Sequence, residues 1–253
     1  MPFTFLHLDE VDSTNAFLLR KQESVDICGC VVSADMQTAG KGMGANSWES
    51  ESGKNLTFSM GVDMSFMKAA DQFLLSQAVP LGLLDVLDTI IVGQTHRSSP
   101  TEALMVKWPN DLCYGNRKLC GILINNMIHG MDLGVSVIGI GLNVNQMQFK
   151  DWPTHPVSIK MILGKEMELE PLLEQLVKSV DDKIQLMRSP EGRSSIQSSY
   201  LQRMYQYRQW ADYEVDGVKV KRFITGLDPF GRLTTIDKEG KEFVYDLKEI
   251  RFL

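Results

Sequence analysis

Between residues 105 and 143, apolar runs alternate with very short polar turns, and this spacing constrains the fold more than any other feature of the chain. Residues 105–108, 112–114, 118–125 and 133–143 read as strands joined at Pro109, at Gly115-Asn116 and at His129-Gly130. A parallel crossover needs about a dozen residues or more, so these connections force an antiparallel meander. Upstream, residues 3–8 alternate weakly and lead through Asp9-Glu10-Val11-Asp12-Ser13-Thr14-Asn15 into a helix over Ala16, Phe17, Leu18 and Leu19, with Asp12 or Ser13 as its cap. Residues 30–34 and 55–62 read as further strands. Residues 65 to about 92 read as a long helix, apolar at Ala69, Phe73, Leu74, Ala78, Leu81, Leu84 and Val86, which Pro80 is expected to kink or split.

Leu172, Leu173, Leu176, Val177, Val180 and Ile184 lie at helical spacing opposite a polar face. Ser189-Pro190-Glu191-Gly192 is expected to end that helix, and residues 195–205 to form another. From Ala211 the texture changes to short alternating strands with turns at Gly217, at Asp228-Pro229-Phe230-Gly231 and at Glu239-Gly240, which reads as a small β barrel. At about 45 residues it is too small to hold a large core alone, so it is expected to dock on the remainder. The expected division is 1–206 and 207–253.

The chain has 253 residues, 43% hydrophobic and 23% charged, the composition of an ordinary globular protein. No stretch approaches the roughly 20 apolar residues of a membrane span, and Met1-Pro2-Phe3-Thr4-Phe5 lacks the pattern of an export leader. A cytoplasmic protein is expected, without a membrane partner. A net charge of −6 disfavours general binding to nucleic-acid phosphates, so any anionic ligand has to be met by local groups. Cys28, Cys30, Cys113 and Cys120 lack zinc or disulfide-scaffold spacing and are expected to be buried free thiols, with Cys28 and Cys30 on one strand face. His7, His96, His129 and His155 share no motif, which supports neither a histidine metal cluster nor a triad, and no serine lies in a nucleophile elbow.

Four constellations carry candidate chemistry. In Lys107-Trp108-Pro109-Asn110-Asp111 and Arg117-Lys118-Leu119-Cys120-Gly121-Ile122-Leu123, charges interleave with apolar residues. Either Lys107, Asp111 and Lys118 form a solvated hairpin with one salt bridge, or they await a charged ligand, since burying unpaired charge is costly. Gly40-Lys41-Gly42-Met43-Gly44 is either a flexible surface turn or a loop whose N–H groups cradle a carboxylate or phosphate; it has neither Walker nor dinucleotide spacing. Trp48 is either core or a flat surface for a purine. Gly139 and Gly141 mark either a β-bulge or room for a ligand, and Ser13-Thr14-Asn15 either a helix cap or a binding row. A site with glycines, lysines and an aspartate but no protein nucleophile suits phosphoryl or nucleotidyl transfer, where the substrate brings its own nucleophile.

Val11-Asp12-Ser13-Thr14-Asn15, Gln37-Thr38-Ala39-Gly40-Lys41-Gly42, Trp48, the two segments above and Gly139-Ile140-Gly141-Leu142-Asn143-Val144 resemble, in order and spacing, the biotin–protein ligases. The resemblance covers about residues 5 to 145 by motif and the C-terminal segment by general character, and it is to the short class without an N-terminal DNA-binding domain. It implies an α+β fold, with a mixed, largely antiparallel sheet flanked by helices as in class II aminoacyl-tRNA synthetases, and a small C-terminal SH3-like β barrel. It also implies a ligase that joins biotin to AMP from MgATP, then passes biotin to a lysine of a biotin carboxyl carrier domain. No DNA partner is implied, and a homodimer is left open. A lipoate ligase, or a non-catalytic biotin-binding module, remains the alternative.

Carried over by position, the resemblance assigns biotin to Ser13, Thr14, Asn15, Gln37, Gly40, Lys41, Gly42, Met43, Lys118, Gly121, Leu123, Gly139 and Gly141. It assigns ATP to Lys41, Trp48, Lys107, Asn110, Asp111, Lys118 and Asn143, and catalysis to Lys118, Asp111 and Lys41. No metal ligand is assigned, because the nucleotide supplies most ligands for Mg²⁺. The family loop commonly reads Gly-Arg-Gly-Arg. Here Lys41 and Met43 replace the arginines, losing two-pronged anion binding, so weaker retention of the adenylate is expected.

Overall fold

The computed structural model describes residues 3–44, 46–91, 93, 103–150 and 155–253. The first two residues, the end of the expected long helix at Val92, and His96 lie outside them. Seven strands form one sheet: β1 (Thr4–Val11), β2 (Cys30–Gln37), β3 (Leu56–Asp63), β4 (Leu104–Lys107), β5 (Asp111–Tyr114), β6 (Arg117–His129) and β7 (Asp132–Leu142), in the order β1-β2-β3-β7-β6-β5-β4. The meander is present from β4 to β7. It does not extend to the opposite edge, where β1 and β2 run parallel because helix α1 (Thr14–Gln22) carries the chain back between them.

Period-two alternation gives the sheet two different faces. On β3, β7 and β6, Phe58, Met60, Ile138, Ile140 and Ile122 belong to the main core. The intervening Thr57, Ser59, Gly139, Gly141, Gly121 and Leu123 face the other way. The register sets Thr57 opposite Gly141, Ser59 opposite Gly139, Gly121 opposite Gly141 and Leu123 opposite Gly139. Helix α1 covers part of this second face, where Leu18, Ile27, Val32 and Val137 make a small apolar cluster.

Helix α2 (Phe73–Ile91) lies on the main-core face. Its start is corrected from residue 65. The segment before it is held instead along the β6–β7 hairpin, with Met64 N–H donating to Gly134 (2.8 Å) and Ala69 N–H to Met131 (2.9 Å). Pro80 does not split α2, which runs on as one helix because tight packing sustains it: a Cβ on Gly82 would lie 2.7 Å from Val180 Cα. The absence of a membrane-length apolar stretch is also corrected, since α2 is long and apolar enough to cross a membrane by length and composition. Here most of it is buried within the chain, against helices α4 (Leu169–Leu186) and α5 (Pro190–Arg203). A short helix α3 (Ile159–Leu163), unforeseen, precedes α4. Ser189-Pro190 proves to be a start signal: Ser189 Oγ accepts from Gly192 N–H at 3.0 Å and Pro190 opens α5.

A five-stranded antiparallel sheet stands where the small barrel is expected. It comprises β8 (Trp210–Val215), β9 (Val218–Leu227), β10 (Leu233–Ile236), β11 (Glu242–Tyr245) and β12 (Arg251–Phe252), ordered β11-β10-β9-β8-β12. Tyr213, Ile224, Leu233, Tyr245 and Ile250 share one buried cluster with the large sheet, so this segment is packed on the rest of the chain. All four cysteines are free. Cys113 and Cys120 are buried, whereas Cys28 and Cys30 are only half-buried and Cys28 precedes the strand, a correction to the expected burial and shared face.

Candidate active site

The glycines of β6 and β7 have no bulge to explain them, because the register slips lie at Leu112/Cys113 and Asn126/Ile128 instead. They are required by close approach. A Cβ on Gly141 would lie 2.3 Å from the Trp48 ring, one on Gly121 3.1 Å from the same ring, and one on Gly139 3.0 Å from Asn15 Nδ2. Trp48 therefore lies close against the sheet backbone, and this glycine floor is the base of a cavity of about 160 Å³.

One wall is polar and comes from the start of α1. Ser13 caps the helix, accepting from Ala16 N–H at 3.4 Å, and Ser13, Thr14 and Asn15 also line the cavity. Gln37 Oε1 accepts from Thr14 N–H (2.8 Å) and Thr14 Oγ1 (3.1 Å), and Thr14 Oγ1 meets Ser59 Oγ at 2.8 Å. Ser13, Thr14, Asn15 and Ser59 are buried. Such a cluster of hydroxyls and amides can surround a small neutral polar group.

The roof is the glycine loop. It leaves β2 with Thr38 and Ala39 N–H groups bonded to Val11 and Asp12, then closes on itself: Trp48 N–H donates to Gly40 (3.0 Å) and Gly42 N–H to Asn46 (2.8 Å). Gly40 is obligatory, since a Cβ there would lie 2.3 Å from Trp48 O. Lys41, Gly42, Met43, Asn46, Ser47 and Trp48 face the cavity.

The opposite wall is the β4–β5–β6 hairpin pair. Lys118 Nζ and Asp111 Oδ2 form an ion pair at 2.8 Å, each side chain 26% exposed, with the ammonium 5.8 Å from the Trp48 ring centre. The expected salt bridge is present, and the pair also lines the cavity. Asn110 is tied to β6, its Nδ2 donating to Ile122 O. Behind the hairpin tip, Tyr200 OH donates to Pro109 O at 3.1 Å, and burial pushes that phenol far above its usual range. Trp108 points away from the cavity and donates through Nε1 to Gly231 O at 2.9 Å.

Two assigned residues lie elsewhere. Lys107 is on the hairpin but does not line the cavity; its ammonium stands 5.3 Å over the Phe252 ring, and burial lowers its pKa. Asn143 is buried and its amide donates to Lys118 O (3.4 Å) and Val157 O (3.2 Å), ties that brace the start of β6. The remaining assigned residues except Gly40 line the cavity, together with Asn46, Ser47, Thr57, Phe58, Ser59, Pro109, Ile122 and Ile140, which sequence reading missed. Strand alternation from Phe58 was the signal available for Thr57 and Ser59. His7, Asp9 and Asp35 do approach one another on the β1–β2 edge, away from the cavity, but His7 and Asp9 are exposed, Asp35 is half-buried and His7 already bonds Ser33.

Residues 9–143, which hold every wall of this cavity, match the model of the biotin/lipoate A/B protein ligase family. The chain belongs to that family. As a family member it is 28% identical over 237 residues to the bifunctional ligase/repressor BirA of Escherichia coli K12, the match covering 92% of this chain and 66% of that one. It is 33% identical over 138 residues to the biotin–[acetyl-CoA-carboxylase] ligase of Mycobacterium tuberculosis, covering 54% of this chain and 48% of that one. The ligase-family chain thus spans less than two thirds of the length of either relative. Its fold is that of biotin protein ligase from Aquifex aeolicus in complex with biotin and ATP, at a TM-score of 0.77 over 99% of both chains and 22% identity. The biotin protein ligase of Leishmania major in complex with biotin also matches, with a TM-score of 0.65 at 24% identity over 98% of this chain.

Proposed function

We propose that this protein is an ATP-dependent biotin–protein ligase acting in the cytoplasm. The observation that carries the reading is the cavity's polarity: a buried hydroxyl–amide pocket at one end and the Lys118–Asp111 pair at the other, joined by a glycine floor. The ureido group of biotin is neutral and carries both donors and an acceptor, matching Ser13, Thr14, Asn15, Gln37 and Ser59. Its acyl chain follows Leu123 and the floor at Gly139 and Gly141, which brings the carboxylate toward Gly121 and Lys118.

A biotin carboxylate oxygen then bonds to the α-phosphorus of ATP, and the bridging oxygen leaves with pyrophosphate. Lys118 and Lys41 neutralise charge at that phosphate, while the loop from Gly40 to Trp48 shields the mixed anhydride from water. Trp48 offers its ring to adenine. In the second step the ε-amine of a carrier-domain lysine attacks the acyl carbon and AMP leaves, with Asp111 orienting or deprotonating the amine. Magnesium enters with the triphosphate; Asp111 is the cavity's one carboxylate among the described residues, and it already holds Lys118. In this reading residues 1–206 carry the chemistry and 207–253 form the appended β module.

The test is exchange of labelled pyrophosphate into ATP with biotin or lipoate as acid, followed by transfer to an apo carrier domain. Exchange and labelling with biotin alone are expected. Exchange with lipoate alone would establish the lipoate alternative, and no exchange with either would reduce the protein to a binding module.

A further inference from the structure

The two arms of the glycine loop are held differently. The incoming arm leaves β2 on main-chain bonds from Thr38 and Ala39, whereas the outgoing arm, residues 49–55, is gripped by the segment that follows β7. Gln146 Oε1 accepts from Glu51 N–H at 3.0 Å and from Asn55 Nδ2, and Gln146 Nε2 donates to Gln148 O at 2.7 Å. Asn55 Oδ1 accepts from Val144 N–H at 2.9 Å, and Asn145 N–H donates to Lys54 O at 2.7 Å. Lys150 adds an ion pair with Glu49 at 2.8 Å, exposed and therefore weak by itself.

Asn55 and Gln146 are 3% and 8% exposed, each is paired at both ends of its amide, and neither lines the cavity. A buried pair of amides with every group satisfied specifies one path for the chains that meet there, because any other path leaves polar groups unpaired. The place where it does so is specific. Asn55 directly precedes β3, which brings Thr57 and Ser59 to the cavity, and Gln146 follows β7, which brings Gly139 and Gly141. Glu51, whose N–H Gln146 holds, is three residues beyond Trp48, and the Trp48 ring rests on Gly141 and Gly121. Freed at Glu51, the outgoing arm could carry the indole off the floor.

We infer that Gln146 is a positioning residue for Trp48: it pins the outgoing arm and so keeps the indole over the floor, where the adenine base is met. It acts through the arm and not by contact with the nucleotide. The inference rests on the adenylation reading above.

The experiment compares the native chain with Gln146→Leu, which keeps the bulk and removes the amide, and with Gln146→Glu, whose carboxylate still accepts from Glu51 and Asn55. In biotin-dependent pyrophosphate exchange, Gln146→Leu should raise the KM for ATP about five- to tenfold, as expected when buried hydrogen-bonding groups lose their partner. The KM for biotin and the rate at saturating ATP should stay within about twofold of native, and Gln146→Glu should recover most of the loss. In a Trp48→Ala background, Gln146→Leu should change the ATP KM by less than about twofold, because the ring it positions is gone. An unchanged ATP KM in Gln146→Leu would overturn the inference, as would a glutamate variant as impaired as the leucine one, a biotin KM that rises in step with that for ATP, or effects of the Trp48 and Gln146 substitutions that simply multiply. If Gln146→Leu fails to fold, Gln146→Ala, which leaves room for water to pair Glu51 and Asn55, takes its place in the same comparison. Calorimetric titration with MgATP decides the point without turnover. If the native chain shows no biotin-dependent exchange the proposed function fails, while equal MgATP affinity in the native and Gln146→Leu chains sinks Gln146 alone.

Discussion

The two polar arms over the glycine floor are built in opposite ways. The β4–β5–β6 arm is clamped from behind by side chains: Tyr200 holds Pro109, Trp108 bonds Gly231, Asn110 holds β6 and Asn143 fixes the strand that carries Lys118. The glycine loop is closed mainly by its own backbone, through Gly40, Gly42, Asn46 and Trp48. One arm thus holds its charge by many side-chain ties, while the other rests on fewer, mostly main-chain ones, as the proposed closure over a ligand would need. A reaction that must first admit and then seal a reactive anhydride uses both.

If the clamped arm supplies the decisive charge, Lys118→Ala should lower adenylation by about 10²- to 10³-fold, with biotin affinity changed far less. Pyrophosphate exchange alongside biotin titration checks this, and an equal loss in both would erase the distinction between the arms. Gly141→Ala tests the floor they share. The added Cβ, 2.3 Å from the Trp48 ring, must displace the indole, and a loss of nucleotide affinity on the order of tenfold or more with native-like circular dichroism is expected. Met43→Arg sharpens the account of the loop: a two-pronged cation there should slow release of biotinyl-AMP several-fold, on the order of one added charge-assisted hydrogen bond. Unchanged release in a filter-retention assay would mean that the loop does not hold the adenylate through this position. The smallest effect is expected behind the clamped arm, where Trp108→Phe removes the bond to Gly231 and should cost about 1–2 kcal/mol in denaturant unfolding.

The clamped arm was also the more legible of the two in the sequence. Its strands are local, its turns are short, and Lys118 and Asp111 meet as their spacing allows. What escaped were partners distant in the chain. Lys107 and Asn143 have contacts that no spacing shows: the ammonium of one stands over Phe252 and the amide of the other donates to Val157 O, both far along the sequence. Ser59 was hidden for the converse reason: in an apolar strand a lone serine reads as incidental until β7 and α1 are placed beside it. The parallel β1–β2 pair and the unbroken passage of α2 through Pro80 are likewise tertiary outcomes, where packing overrides local propensity. Ser189-Pro190 differs in kind, because a helix cap followed by proline at the first helical position is a local start signal, although the same residues also suit a helix end.

The bond from the Trp108 indole to Gly231 ties the signature hairpin to a turn more than a hundred positions downstream, and Gly231 itself has no room for a Cβ because the Phe73 ring lies 2.1 Å from where it would stand. Chimaeras assembled from relatives should therefore inherit the hairpin, the opening of α2 and the Asp228–Arg232 turn from a single parent. A mismatched parent at any of the three should be felt in the shape of the cavity before it is felt as a failure to fold.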